Sequence, residues 1–471
     1  MRRTVRNPQR GLRALTLLTG LALLASACAV DNLAPDYAQE AEDDPRAARP
    51  DAIVALGDSF ISGEGAIDYI SPGVRGPDDY EGSAPSDLWG ADEDDPYFCH
   101  RSPDASVKTV NLWFEETHNL ACSGARPFDV MNPHQARPGE TAQVDRLRTI
   151  AENTDVDAIL LGVGANNDEF TFGSILGLCH AAFMVDAAKN FSLTGGVNTN
   201  AFTAGLLNLS FYDGLGIASL PEIETIMDND GCAPSDMPSL DELGGLQSDV
   251  EAVIDSIYAN MNAAGYDDGD FALVVQTYTS PFGNPADAAF EIHGNNQDDS
   301  KQSFRGLAKD RYDAGCPVHW NAFPVGDVVA TNLGQMLRNA VDESRQAHPQ
   351  ANILLLDVQR AFDGARLCST PGSPTGSLAN PIWFRDNDGD LRRTLGGTTG
   401  SVVLGPIQDW ANRANRCANG RYQLCQEAAH PSIAGHAALG LCLEKALIYQ
   451  GSDDIECRRL SDGELEVRDL A

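Results

Sequence analysis

The sequence has little positive charge, and it has no apolar run long enough to cross a membrane. Only 33 of its 471 residues are Lys or Arg, against 68 Asp and Glu, which gives a formal net charge of −35. A surface of this sign repels nucleic acid and anionic membranes, and no basic stripe offsets it. We therefore expect no nucleic-acid partner, and contact with a membrane only through a lipid anchor.

The spacings that are typical of metal sites are also missing. No Cys-x-x-Cys pair occurs and no His/Cys group has the spacing of a zinc site, so we predict no structural metal. Asp386–Asp390 reads Asp-Asn-Asp-Gly-Asp, and its alternating carboxylates could hold Ca²⁺. Because no glutamate follows at the EF-hand distance, a solvated acidic turn is the preferred interpretation.

The amino-terminal residues indicate export. Five arginines precede the apolar run 14–24, a pattern typical of a secretory signal and too short for a membrane span. The sequence Leu-Ala-Ser-Ala-Cys that ends at Cys28 resembles a bacterial lipobox, in which the cysteine is lipidated; ordinary cleavage after small residues is the alternative. We predict a lipoprotein-type signal peptide over 1–27, a disordered acidic tether over 28–50, and an extracellular or cell-envelope protein.

Ten further cysteines fit an oxidising compartment, where an even number favours disulfides. They are Cys99, Cys122, Cys179, Cys232, Cys316, Cys368, Cys417, Cys425, Cys442 and Cys457. Sequence alone does not determine their pairing. The simplest assignment joins neighbours in chain order, that is Cys99–Cys122, Cys179–Cys232, Cys316–Cys368, Cys417–Cys425 and Cys442–Cys457.

Apolar runs and helical periodicities alternate along the chain. Buried strands are predicted at 52–56, 157–163, 271–275 and 352–357, with a short apolar segment at 119–121, and helices at 107–117, 239–264 and 325–347. This alternation predicts an α/β fold with a parallel sheet covered on both faces. Active groups in such folds gather beyond the carboxyl ends of the strands.

Four short segments place reactive or donor groups at that edge of the predicted sheet. Ser59 follows the first strand in a glycine-flanked turn over 57–65. The small-residue turn 121–125 offers backbone N–H groups, and 164–170 offers an amide side chain after the next strand. Near the carboxyl terminus, 427–436 contains two histidines and Pro431, which holds the preceding residue off helical geometry.

These segments resemble the conserved blocks of the SGNH hydrolases, also called GDSL esterases and lipases, in their secreted bacterial branch. Gly-Asp-Ser-Phe at 57–60 is similar to the first block, and Cys-His-Arg-Ser at 99–102 with the turn 121–125 is similar to the second. Gly-Ala-Asn-Asn at 164–167 is similar to the third, and the segment 430–436 to the last. The resemblance spans about 51–445 and implies a three-layer α/β/α sandwich around a five-stranded parallel sheet.

The resemblance also implies a role for each matching residue. Ser59 would be the nucleophile, and its N–H one donor to the oxyanion. The N–H of Gly124 and the amide of Asn166 would be the other two donors. His430 would be the base that takes the Ser59 proton and returns it to the leaving alcohol.

Three positions qualify the match. Asn167 stands where the family's block usually has Asp, which leaves Asn166 unaffected. Glu427 stands where the family has the Asp three residues before the histidine, so either Glu427 or a backbone carbonyl orients His430. His436 is interpreted as a structural residue near the site.

We therefore expect an SGNH hydrolase domain over 51–451 with long loop insertions, and a charged tail over 452–471. The expected activity is hydrolysis of carboxylic esters by a monomeric serine esterase or lipase without cofactor. Lipid, short-acyl or acetylated-sugar esters would be substrates. Two alternatives stay open: a polysaccharide acetylesterase, and a non-catalytic surface binding protein on the same scaffold.

Overall fold

The computed structural model describes residues 46, 48–64, 66, 99, 101–135, 139–167, 235, 237–280, 282, 322–366, 430–431 and 433–470. The predicted signal peptide, the lipidation site Cys28 and most of the tether lie outside these residues. So do Glu427, the acidic turn Asp386–Asp390 and the six cysteines from Cys179 to Cys425.

In the described part of the chain, seven strands form one mixed sheet, which confirms the predicted α/β class. They are β1 (Asp51–Gly57), β2 (Glu116–Asn119), β3 (Asp155–Gly162), β4 (Ala272–Gln276), β5 (Asn352–Arg360), β6 (Asp454–Arg459) and β7 (Leu465–Asp469). Their order is β2-β1-β3-β4-β5-β6-β7, and every neighbouring pair is parallel except the antiparallel β6–β7. The five parallel strands that the resemblance implies are β2, β1, β3, β4 and β5, and the parallel strand β6 and the antiparallel strand β7 extend the sheet beyond them.

Six helices lie in the described ranges of the chain. They are α1 (Ser59–Ser62), α2 (Pro127–Met131), α3 (Gln143–Ala151), α4 (Gly244–Ala263), α5 (Ala322–Ala347) and α6 (Ile433–Leu447). Helix α4 contacts α2, α3 and α5, whereas α6 contacts β7 and the 3-10 turn Ser106–Thr109. None of the helices in the described ranges combines the length and the apolar character that a membrane span requires.

The central strands are covered on both faces. Successive residues of a strand point to opposite faces, yet every residue of β1 from Ala52 to Gly57 is buried. In β3 only Asp157 is partly exposed. Burial of both alternating sets therefore requires packed layers above and below the sheet, which is the environment of parallel strands.

Two predictions from the sequence are wrong. The helix expected over 107–117 is replaced by the 3-10 turn Ser106–Thr109 and by the edge strand β2. The residues of β2 are polar, and all except the buried Asn119 are half-buried. The charged tail expected over 452–471 is part of the domain. Its residues form β6, which pairs with β5, and β7, which pairs with β6.

Candidate active site

Ser59 lies in a tight turn directly after the central strand β1. Gly57 ends the strand with φ +141°, and a Cβ at this position would lie 1.9 Å from the carbonyl oxygen of Gly162 in β3. The side chain of Gln143 donates to the Gly57 carbonyl and accepts from its N–H, at 2.9 and 2.8 Å. Only glycine fits this close approach of two strands, and the chain emerges from it at a defined angle.

Asp58 caps the short helix that contains the serine. Its carboxylate accepts a hydrogen bond from the Phe60 N–H at 3.0 Å, and Ser59 is the first residue of α1. Ser59 itself is 8% exposed. The hydroxyl is thus held by local backbone geometry at the carboxyl edge of the sheet.

His430 is brought against Ser59 although 371 positions separate them in the chain. The distance from His430 Nε2 to Ser59 Oγ is 2.8 Å, within hydrogen-bond range. For the hydroxyl to donate, Nε2 must be unprotonated, and the ring hydrogen is then on Nδ1. Nδ1 is buried and has no hydrogen-bond partner within the described part of the chain. The candidate partner Glu427 lies outside that part.

Gly124 lies in the turn after β2, the strand on one side of β1. The turn is exposed at Gly124, which has φ +78°. Its residues are connected to β1, because the Cys122 N–H donates to the Gly57 carbonyl at 3.0 Å. Behind it, the buried Arg101 guanidinium donates to the Ala121 carbonyl at 2.8 Å. This support fixes the backbone that would present the Gly124 N–H.

Asn166 lies in the turn after β3, the strand on the other side of β1. Its Nδ2 is buried, and no hydrogen-bond acceptor contacts it among the described residues. A buried amide donor without an acceptor is costly unless a ligand or a reacting group completes it. Because β1 lies between β2 and β3, Gly124 and Asn166 flank the Ser59 turn from its two sides.

A buried phenol joins the turns of Ser59 and Asn166. Tyr278, two residues beyond β4, donates to Asp58 Oδ2 at 2.6 Å and accepts from the Ala165 N–H at 3.2 Å. Burial raises the pKa of Asp58 to about 6, against the lowering effect of the Tyr278 hydrogen bond. Sequence reasoning missed Tyr278, because nothing in its local context distinguishes it from a core aromatic residue.

Glu64 is a second residue that sequence reasoning missed. Its carboxylate is 1% exposed and accepts a hydrogen bond from the Ser123 hydroxyl, and its Oε2 lies 3.9 Å from His430 Nε2. The Glu64 carbonyl lies 3.2 Å from Nε2 of His436. His436 is fully buried, as expected of a structural residue near the site. The only available signal was the position of Glu64 in the serine turn.

Two disulfides lie in the described residues. Cys99–Cys122 fastens the chain next to the Gly124 turn, and Cys442–Cys457 joins α6 to β6. Both join neighbours in chain order, as the simplest assignment has it. Within the described ranges no group of three or more His, Cys, Asp or Glu side chains could hold a metal ion.

The solved structures that match this chain over most of its length include two from Streptomyces. An extracellular lipase from Streptomyces rimosus shares 16% identity, with 84% of this chain and 98% of that chain covered and a TM-score of 0.35. A phospholipase A1 from Streptomyces albidoflavus NA297 shares 15% identity, with the same coverage and TM-score. No family model and no curated protein matches the chain.

Proposed function

We propose that this protein is an exported serine esterase or lipase that hydrolyses carboxylic esters through an acyl-enzyme on Ser59. The contact of 2.8 Å between His430 Nε2 and Ser59 Oγ carries the proposal. A serine hydroxyl is inert until a base removes its proton, and a histidine within hydrogen-bond reach is the usual means of activation. The four sequence blocks that resemble the SGNH hydrolases support the same chemistry.

The contact between the Ser59 hydroxyl and His430 Nε2 defines the steps of the proposed reaction. His430 takes the Ser59 proton as Oγ bonds to the ester carbonyl carbon, and the carbonyl π electrons move to its oxygen. When this oxyanion collapses, the bond to the leaving alkoxide breaks, and the imidazolium protonates the departing alcohol. Water, deprotonated by His430, then attacks the acyl-enzyme in the same way, which releases the carboxylic acid and restores Ser59.

Three N–H donors stabilise the oxyanion in this proposal: the backbone N–H groups of Ser59 and Gly124, and Nδ2 of Asn166. The placement of the two turns on either side of β1 and the unpartnered Asn166 Nδ2 support the assignment. Each such donor lowers the barrier by roughly 2.7–4 kcal/mol. Glu427 or a backbone carbonyl would accept from His430 Nδ1 and keep Nε2 free for the serine.

Export is supported by the sequence and by the disulfides, and anchoring by the lipobox-like sequence alone. Cys99–Cys122 and Cys442–Cys457 favour an oxidising compartment. In our proposal residues 1–27 direct export, and a lipid on Cys28 holds the enzyme at the cell envelope. Lipid and short-acyl esters are then the substrate class.

The first prediction concerns the nucleophile and the base. We expect Ser59→Ala and His430→Ala to lower kcat on p-nitrophenyl butyrate by about 10³-fold or more, because the two residues act as a unit. Ser248→Ala, at an exposed serine of α4, is the matched control and should keep full activity. Turnover that persists in Ser59→Ala would refute the mechanism.

Covalent labelling separates an enzyme from a binding protein on the same scaffold. Phenylmethylsulfonyl fluoride should add one sulfonyl group to the peptide that contains Ser59, measured by mass spectrometry. A binding protein would give no adduct. A chain-length series of p-nitrophenyl esters, compared with acetylated polysaccharide, then distinguishes a lipase or esterase from a polysaccharide acetylesterase.

A further inference from the structure

A carboxylate faces the reacting nitrogen of the candidate base. Oε2 of Glu64 lies 3.9 Å from His430 Nε2, the atom that also contacts Ser59 Oγ at 2.8 Å. Glu64 is buried and His430 is only half-buried. The hydroxyl and the carboxylate are therefore both close to the ring nitrogen that would carry the proton during turnover.

The same carboxylate holds the turn that carries a candidate oxyanion donor. The Ser123 hydroxyl donates to Glu64 Oε2, and Ser123 directly precedes Gly124. The Ser123 N–H donates to the Cys99 carbonyl at 3.1 Å. One side chain thus connects the base with the backbone on the β2 side of Ser59.

Local backbone geometry fixes the position of Glu64. Gly63 ends α1 with φ +103°, and a Cβ there would lie 2.7 Å from the Cβ of Ser102, so the chain turns sharply at this residue. The Glu64 N–H then donates to the Ser59 carbonyl at 3.3 Å. Glu64 is therefore attached to the same turn as the nucleophile.

Two further titratable groups face His430 from the described elements. Burial lowers the pKa of His436 to about 4, so this ring is neutral near pH 7 and donates its Nε2 hydrogen to the Glu64 carbonyl without adding charge. Asp58 also acts on His430 through space, but its carboxylate is engaged by Tyr278 and by the Phe60 N–H. Among the described residues, Glu64 is the carboxylate whose contact with Nε2 itself is within ion-pair distance.

We propose that Glu64 is a positioning residue of the active site, which stabilises the protonated His430 imidazole and holds the Ser123–Gly124 turn. This inference rests on the proposed esterase function. The negative charge beside Nε2 offsets the positive charge that develops there when the Ser59 proton is transferred.

The pH dependence of turnover tests the electrostatic part of the proposal. In Glu64→Gln we expect the acid limb of kcat/KM for p-nitrophenyl butyrate to move down by about one pH unit. The plateau kcat should fall by about tenfold, and KM should change little. Glu64→Asp keeps the charge and withdraws it by one methylene, so it should give a smaller change in the same direction.

Two controls separate this role from a merely structural one. Ser123→Ala removes the hydrogen bond but keeps the carboxylate, so kcat should fall while the acid limb stays in place. Glu456→Gln removes a buried carboxylate of β6 that pairs with Arg468, and it should change stability without changing the pH profile. An acid limb that does not move in Glu64→Gln, or that moves equally in Glu456→Gln, would overturn the proposal.

A measurement without substrate keeps the inference distinguishable from the esterase proposal. The imidazole nitrogen resonances of His430, assigned by their loss in His430→Gln, should change in chemical shift in Glu64→Gln and stay in place in Glu456→Gln. Unchanged resonances in Glu64→Gln refute the role of Glu64. Changed resonances in a protein without any esterase activity support the electrostatic contact and refute the proposed function.

Discussion

Asp58 shows how a single residue of the serine turn combines a structural benefit with an electrostatic cost. Its carboxylate accepts hydrogen bonds from the Phe60 N–H and the Tyr278 hydroxyl, which define the turn. It is also fully buried, and burial disfavours the charged form, which raises its pKa from 3.8 to about 6. The buried Asp58 carboxylate therefore destabilises the folded turn around Ser59 more at neutral pH, where it is ionised, than in mild acid.

A prediction at the residue scale follows from the sign of this shift. Below pH 3.8 Asp58 is protonated in both the folded and the unfolded chain, and above about pH 6 it is ionised in both. Between these values the folded state binds the extra proton, so stability falls as pH rises through this window. The difference between the two pKa values corresponds to a loss of about 3 kcal/mol in the free energy of unfolding.

Urea unfolding of the unchanged protein and of Asp58→Asn at pH 4, 5, 6 and 7 measures this contribution. The unfolding free energy of the unchanged protein, minus that of Asp58→Asn, should decrease as pH rises. Above about pH 6 this difference should become constant. Asp249→Asn, at an exposed position of α4, provides the comparison. A difference that stays constant over the whole range would contradict the prediction.

At the scale of elements, the site depends on connections between the carboxyl ends of strands. Tyr278 follows β4, and its hydroxyl joins Asp58 after β1 to Ala165 after β3. A similar phenol serves the opposite end of the sheet: the Tyr266 hydroxyl donates to the Thr154 carbonyl and accepts from the Val156 N–H, each at 2.8 Å. Tyr278 therefore connects residues at the carboxyl ends of the strands, whereas Tyr266 connects residues at the amino-terminal end of β3.

This pair gives a prediction with an internal control. Tyr278→Phe and Tyr266→Phe should each lower the unfolding free energy by about 1–3 kcal/mol, because each leaves buried polar groups without a partner. Only Tyr278→Phe should also lower kcat on p-nitrophenyl butyrate, by about ten- to a hundredfold, since it loosens the serine and asparagine turns together. Equal activities in the two variants would contradict this account.

At the scale of the whole molecule, two disulfides fasten parts of the domain that differ in their distance from the site. Cys442–Cys457 closes 15 positions between α6 and β6. Cys99–Cys122 closes 23 positions and ends next to the turn of Gly124. The chain-entropy model gives similar stabilisation for loops of these lengths, about 3 kcal/mol.

The two bridges should therefore differ in activity more than in stability. Replacing both cysteines of either pair with Ala should lower the unfolding free energy by about 3 kcal/mol in urea titrations. The Cys99→Ala/Cys122→Ala variant should in addition lose ester hydrolysis well below its melting temperature, whereas the Cys442→Ala/Cys457→Ala variant should keep its kcat. Full activity in the first variant would show that the bridge does not support the site.

The sequence by itself determined the α/β class and the buried strands, because apolar runs and helical periodicity are local properties of the chain. It also singled out Ser59 and His430, since each lies in a distinctive turn. It could not indicate that the polar segment at β2 is an edge strand, or that the charged carboxyl terminus pairs with β5, because neither segment has the apolar pattern of a central strand.

Only the tertiary structure decided which groups surround the serine and the histidine. Tyr278 meets Asp58 across 220 positions, and Glu64 meets Ser123 across 59. Contacts of this kind depend on strand order and on the path of each turn, and these are set by packing of the whole sheet. A buried tyrosine or glutamate has no local pattern that distinguishes a partner of the active site from a member of the core.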